Sequence, residues 1–187
     1  MTHQEIVDKV KSILNEHGEV DALSIGDDRV QLENYIAVAI PDAVVMLAQK
    51  GYRVNVCNFG KIDDGRIAVP ENFISLLCLK LDTWNKAVNR VVEIGSPEYI
   101  MAMNKFTQPG PNSPVCYREN DTLVCLPIDE TMSVGAYNGT FDAGKGIKAE
   151  PKEATAVCYM TAAIVLGMFG DDQGKQRLSD ISTNTLQ

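Results

Sequence analysis

The chain has 187 residues, 45% hydrophobic, 22% charged and 6% aromatic, which suits one domain with a sizeable core and excludes intrinsic disorder. Seventeen basic residues against 25 acidic ones give a formal charge of −8, so the average surface repels nucleic-acid phosphate, which argues against a dedicated nucleic-acid binder. The start lacks the apolar core of a signal peptide, and the longest apolar stretch, residues 154–169, is broken by Thr161 and Gly167 and falls short of a bilayer span.

In chain order, the spacing predicts a helix over residues 2–15. Thr2 and Glu5 match a capping box, and Ile6, Val7, Val10, Ile13 and Leu14 recur on one face. A second helix is expected after Asp27 or Asp28. Pro41 either kinks it or opens a new helix that runs to Lys50 and stops at Gly51. From Tyr52 the pattern changes to short strands over 53–59 and 66–69, with a turn at Asp63-Asp64-Gly65. Residues 73–81 are apolar on both faces, as in a buried strand, and the valine-rich segment 87–94 predicts another.

Ser96-Pro97-Glu98 then signals a helix start, with Tyr99, Ile100, Met103 and Phe106 following before Pro109-Gly110-Pro111. A hairpin is expected from 115–118 and 122–126, and a strand from 132–137. A glycine-rich loop follows, then a long apolar helix over 151–167 and a short one over 175–181. The expected class is α+β: N-terminal helices, central and mostly antiparallel strands with an inserted short helix, and a long C-terminal helix. As one domain, it divides into a helical part at 1–51, a strand-rich part at 52–137 with its helix at 96–106, a loop at 138–150 and a helical part at 151–187.

Chemistry-bearing patterns are sparse. His3 and His17, the two histidines, match no nucleophile–base arrangement and read as surface residues. Asp63-Asp64 and Asp171-Asp172 are too sparse for a calcium loop, and no Cys/His set has zinc spacing, so no catalytic residue, metal or cofactor is assigned. Cys57, Cys78, Cys116, Cys125 and Cys158 contain no C-x-x-C pair and read as reduced, mostly buried thiols, although Cys116 and Cys125 can face each other across the hairpin. Gly139 to Lys145 matches G-x-x-x-x-G-K, but Gly146 stands where Ser or Thr should hold magnesium, and Asp142 opposes phosphate. Nucleotide binding by loop 139–146 is therefore the weaker alternative to a plain loop. Trp84 reads as a core residue or as a subunit-interface anchor. Tyr99, Met101 and Met103, spread over more than one face of a short helix, join it as candidate interface residues.

Several segments resemble, in order, the head–tail connector (adaptor, or ring) proteins of short-tailed phages, closest to those of crAss-like phages of Bacteroides. They are Ile40-Pro41-Asp42-Ala43, Val69-Pro70-Glu71-Asn72-Phe73, Leu79-Lys80-Leu81-Asp82-Thr83-Trp84, Arg90-Val91-Val92, Ser96-Pro97-Glu98-Tyr99 and Asn112-Ser113-Pro114-Val115, followed by the hairpin. They are core and turn residues rather than a catalytic signature, and residues 132–150 do not align. The resemblance implies a virion structural protein without catalytic residues, made in the bacterial host cytoplasm and placed at the head–tail junction. It implies a homo-oligomeric, typically dodecameric ring that contacts the portal and neighbouring tail or ring proteins. Genomic DNA would pass its channel without specific binding, and no membrane is involved. The alternative expectation is an intracellular interaction module unrelated to virions.

Overall fold

Thr2 and Glu5 open the first helix reciprocally: the Glu5 amide donates to Thr2 Oγ1 at 3.3 Å and the Thr2 amide to Glu5 Oε2 at 2.8 Å. Helix α1, His3–Glu16, buries the five apolar residues whose spacing predicts it. A computed structural model describes residues 1–16 and 29–187; His17 and the expected helix start at Asp27 or Asp28 lie outside the described residues.

Helix α2, Arg29–Gln49, continues through Pro41 rather than restarting there. Proline removes one backbone bond, but Ile36, Ala39 and Ile40 before it and Ala43, Val44 and Leu47 after it are all fully buried, so packing on both sides offsets the loss. Gly51, at φ +90°, ends the helix.

The described residues divide into two compact units: Met1–Asn55 with Thr140–Gln187, and Val56–Gly139. In the helical unit, α4, Pro151–Met168, buries ten side chains and packs against α1, α2 and α5, Asp172–Thr185. Asp171 caps α5 by accepting the Gly174 amide at 2.9 Å, and Ser182 Oγ donates to the Ala156 carbonyl at 2.8 Å. Buried Asn55 ties this unit together where the chain leaves and returns: its Nδ2 donates to the Thr140 carbonyl at 2.9 Å, and its Oδ1 accepts the Lys148 amide at 3.0 Å.

The strand-rich unit holds two three-stranded antiparallel sheets. In the first, β6, Met132–Gly139, lies between β1, Val56–Asn58, and β3, Phe73–Leu81. In the second, β5, Thr122–Leu126, lies between β2, Arg66–Ala68, and β4, Val115–Glu119. Phe59, Ile67, Leu76, Leu79, Leu81, Trp84 and Leu123 share the core. The turns expected at Asp63-Asp64-Gly65 and Glu119-Asn120-Asp121 are each one residue tighter, because Asp63 pairs with Arg66 and Glu119 with Thr122, and Asp64, Gly65 and Asn120 take positive φ.

The strand expected over 87–94 is absent. Val88 exchanges backbone bonds with Leu79 of β3, whereas the Val92 amide donates to the Cys116 carbonyl of β4. The segment thus passes from one sheet to the other and never lies alongside either long enough to form a ladder. Seven-residue α3, Pro97–Met103, sits within this unit and stops before Phe106. With five helices and two small antiparallel sheets among the described residues, the fold is α+β, and none of these helices is long and apolar enough to cross a membrane.

Candidate interaction surface

Helix α3 starts where Ser96 Oγ accepts the Tyr99 amide at 3.2 Å, with Pro97 fixing the first turn and Glu98 at the positive end of the helix. Only Ala102 is fully covered. Tyr99 is half-buried, its ring edge-on to Tyr117 of β4 at 5.1 Å and 81°. That pair docks the helix. Ile100, Met101 and Met103 remain exposed, Met101 at 57%.

The chain then reverses in a braced turn. The Asn104 carbonyl accepts the Thr107 amide at 3.0 Å, Asn104 Oδ1 accepts the Phe106 amide at 3.0 Å, and Thr107 Oγ1 donates to the Met101 carbonyl at 2.6 Å. Phe106, the most exposed of the large hydrophobic residues at 96%, projects from this turn. Beside it, Val88, Val92, Met101, Ala102, Pro109 and Val115 line a shallow groove of about 310 Å³, and an Arg90–Glu98 ion pair marks its edge. Lone exposed hydrophobics are ordinary, but this short helix and its turn carry four, on more than one side of the helix.

Tyr99, Met101 and Met103 share helix α3, where Tyr99 packs inward on Tyr117 and the two methionines are exposed, whereas Trp84 lies in the core. Trp84 is 1% exposed inside the strand-rich core, its indole N–H donating to the Pro127 carbonyl at 2.9 Å. The interface alternative for Trp84 is therefore corrected: buried indoles find a partner inside, and a charge placed there breaks the core instead of probing a contact. Ile100 and Phe106 belong to the surface although the sequence reading leaves them out of the interface set. The signal available for Phe106 was its place between the helix and the proline turn, where no neighbouring element could cover it.

The helical unit offers a second apolar surface. Met46 of α2 with Met160, Ile164 and Met168 of α4 lines a groove of about 470 Å³, with Asp42 and Lys175 at its rim. Methionine is unbranched and adapts to irregular partners.

The remaining chemical candidates have structural roles. His3 lies 5.8 Å from Phe141, ring to ring. In the glycine-rich loop, Asp142 turns inward: Oδ1 accepts the Gly144 amide at 2.9 Å and Oδ2 pairs with Lys145 Nζ at 3.2 Å. The Gly144 amide, then Lys145, hold the Asp142 carboxyl below the usual carboxylate range. A phosphate loop needs its amides and its lysine free for the ligand, and here the Asp142 carboxylate takes the Gly144 amide and the lysine while the Asp142 carbonyl accepts the Lys145 and Gly146 amides. Among the described residues no group of three His, Cys, Asp or Glu side chains is arranged to hold a metal ion. No protein-family model matches the sequence, and no curated protein matches it at a significant level.

Proposed function

We propose that this protein is a head–tail connector of a short-tailed phage, forming a ring below the portal that extends the DNA channel, supports tail attachment, and serves genome retention and ejection. The observation that supports this reading is the set of exposed apolar side chains on α3, Ile100, Met101 and Met103, together with Phe106 on the braced turn that follows it. A closed ring joins two unlike faces of each copy. This set, on the strand-rich unit, is our candidate for one of these faces. A formal charge of −8, repeated around a ring, suits a channel through which DNA slides without being held.

The test is sedimentation of the purified chain, alone and mixed with the portal protein of the same genome, with the heavy fraction imaged. Rings, or a collar added to the portal, are expected, and both are lost in Phe106→Asp and Met103→Asp while the monomer's melting temperature stays unchanged. A chain that remains monomeric and ignores the portal refutes the connector reading in favour of an interaction module.

A further inference from the structure

We propose that Cys116 and Cys125 are a dithiol site that closes into a cross-strand disulfide by exchange with a low-molecular-weight disulfide. The backbone sets the geometry. The two residues stand directly opposite each other in the β4–β5 ladder. Their backbone groups point away from one another: the Cys125 amide donates to the Gly65 carbonyl at 2.8 Å, and the Cys116 carbonyl accepts the Val92 amide at 2.7 Å. They are thus a non-hydrogen-bonded pair, in which opposed Cα atoms lie about 4.5 Å apart with side chains on the same face. That spacing falls within the range a disulfide spans.

The other thiols lack such a partner. Cys57 on β1 and Cys78 on β3 are separated by β6, two strand spacings or roughly 9–10 Å, beyond a disulfide's reach. Cys158 belongs to the helical unit.

Both thiols of the pair are wholly buried, and all five cysteines are free. Contact with the Cys125 thiol, then burial, push the Cys116 thiol far above its ordinary range. Exchange needs a thiolate, so the folded hairpin is closed to oxidant and reacts only when it opens. On opening, the thiolate of one cysteine attacks a sulfur of oxidised glutathione and releases one glutathione thiolate, leaving a mixed disulfide. The second cysteine's thiolate attacks the protein sulfur of that bond and displaces the other glutathione. In total, two protons and two electrons leave the pair, and one small disulfide becomes two thiols. The bridge then holds β4, whose Tyr117 supports α3, to the middle strand of its sheet. This site stands whether or not the chain forms rings.

The test equilibrates the full chain in glutathione buffers of graded ratio, without denaturant and in concentrated urea, starting once from reduced protein and once from protein oxidised in urea. Acid quenching, alkylation and mass mapping then count the Cys116–Cys125 bridge. The folded chain is expected to hold it against a reducing ratio roughly tenfold to a hundredfold higher than the unfolded chain does. Reduced native protein is expected to oxidise only as added urea opens the strand-rich unit. Equal or weaker retention of the bridge by the folded chain started from oxidised protein, a different dominant pair, or an oxidised chain that cannot regain its native circular dichroism each overturns the proposal.

Discussion

Replacing Trp84 with Phe separates a core role from an interface role. The substitution keeps one ring and removes the pyrrole portion from a site that is 1% exposed. Complete truncation of a buried Trp to Ala costs about 3–5 kcal/mol, and the smaller void left by Phe accounts for about a third of that. The Pro127 carbonyl also loses the indole N–H that it accepts at 2.9 Å, and an acceptor left without a partner costs about 1–3 kcal/mol. The combined destabilisation is about 2–4 kcal/mol, a fall in melting temperature on the order of 8–30 °C for a unit in the 60–100-residue class. Far-UV circular dichroism of the full chain in graded urea measures it, because the substitution removes the only tryptophan and with it the fluorescence signal. A loss under about 0.5 kcal/mol, combined with loss of association, would restore Trp84 to the interface and refute the packing argument.

Gly146→Ala is expected to destabilise by about 2–3 kcal/mol, because φ is +68° and the new Cβ would meet the Met1 carbonyl oxygen at 2.2 Å. Gly51→Ala, at φ +90° with nothing within 4 Å, is expected to cost only about 1 kcal/mol in the same thermal melts; equal losses would refute the role of the close approach. Asn55→Ala leaves both the Thr140 carbonyl and the Lys148 amide without their side-chain partner and is expected to cost about 2–3 kcal/mol, with hydrogen exchange of the Lys148 amide accelerating first. Asp129 accepts the Thr83 amide at 2.8 Å, with further bonds from Thr131 and Glu130, and its carboxyl is held down to about 2. Because the folded value lies below the unfolded one, its stabilising contribution is full above the ordinary carboxylate range and lost as pH falls through about 2. A carbon-detected NMR titration placing Asp129 near 4 would contradict that arrangement.

What the sequence makes legible is local. The Thr2–Glu5 box and the Ser96-Pro97-Glu98 start are short-range hydrogen-bond patterns, and the structure realises both. The 73–81 strand and the 115–126 hairpin announce themselves through a continuous apolar run and a polar two-residue turn. Non-local facts are hidden. Valines at 88, 91 and 92 favour extended backbone, yet a strand needs a neighbour along its length, and this segment has one neighbour at each end instead. The change of texture near Tyr52 and again after Tyr137 is legible and lies close to the edges of the strand-rich unit, but that the first and last segments pack into one helical unit is not, since it depends on residues before Asn55 finding residues after Thr140. Trp84 was ambiguous for a different reason: cores and interfaces both select large aromatic side chains, so composition alone does not separate them.

Trp84 and Phe106 have opposite surroundings, and the hydrogen bonds show why. Trp84 bonds inward, to a carbonyl of its own unit. At the α3 tip, the bonds from Asn104 and Thr107 brace the backbone and leave the Phe106 ring out in solvent. An apolar ring on a slack loop would lose conformational freedom on binding and gain little affinity; one whose backbone is already fixed loses much less. Nothing about helix stability requires a phenylalanine there, because its exposed ring contributes no burial to the unit that carries it. A solvent-facing aromatic on a hydrogen-bonded turn, next in the chain to a helix with two exposed methionines, has the physical character of a contact residue. That character, rather than any catalytic geometry, connects the fold to the proposed assembly.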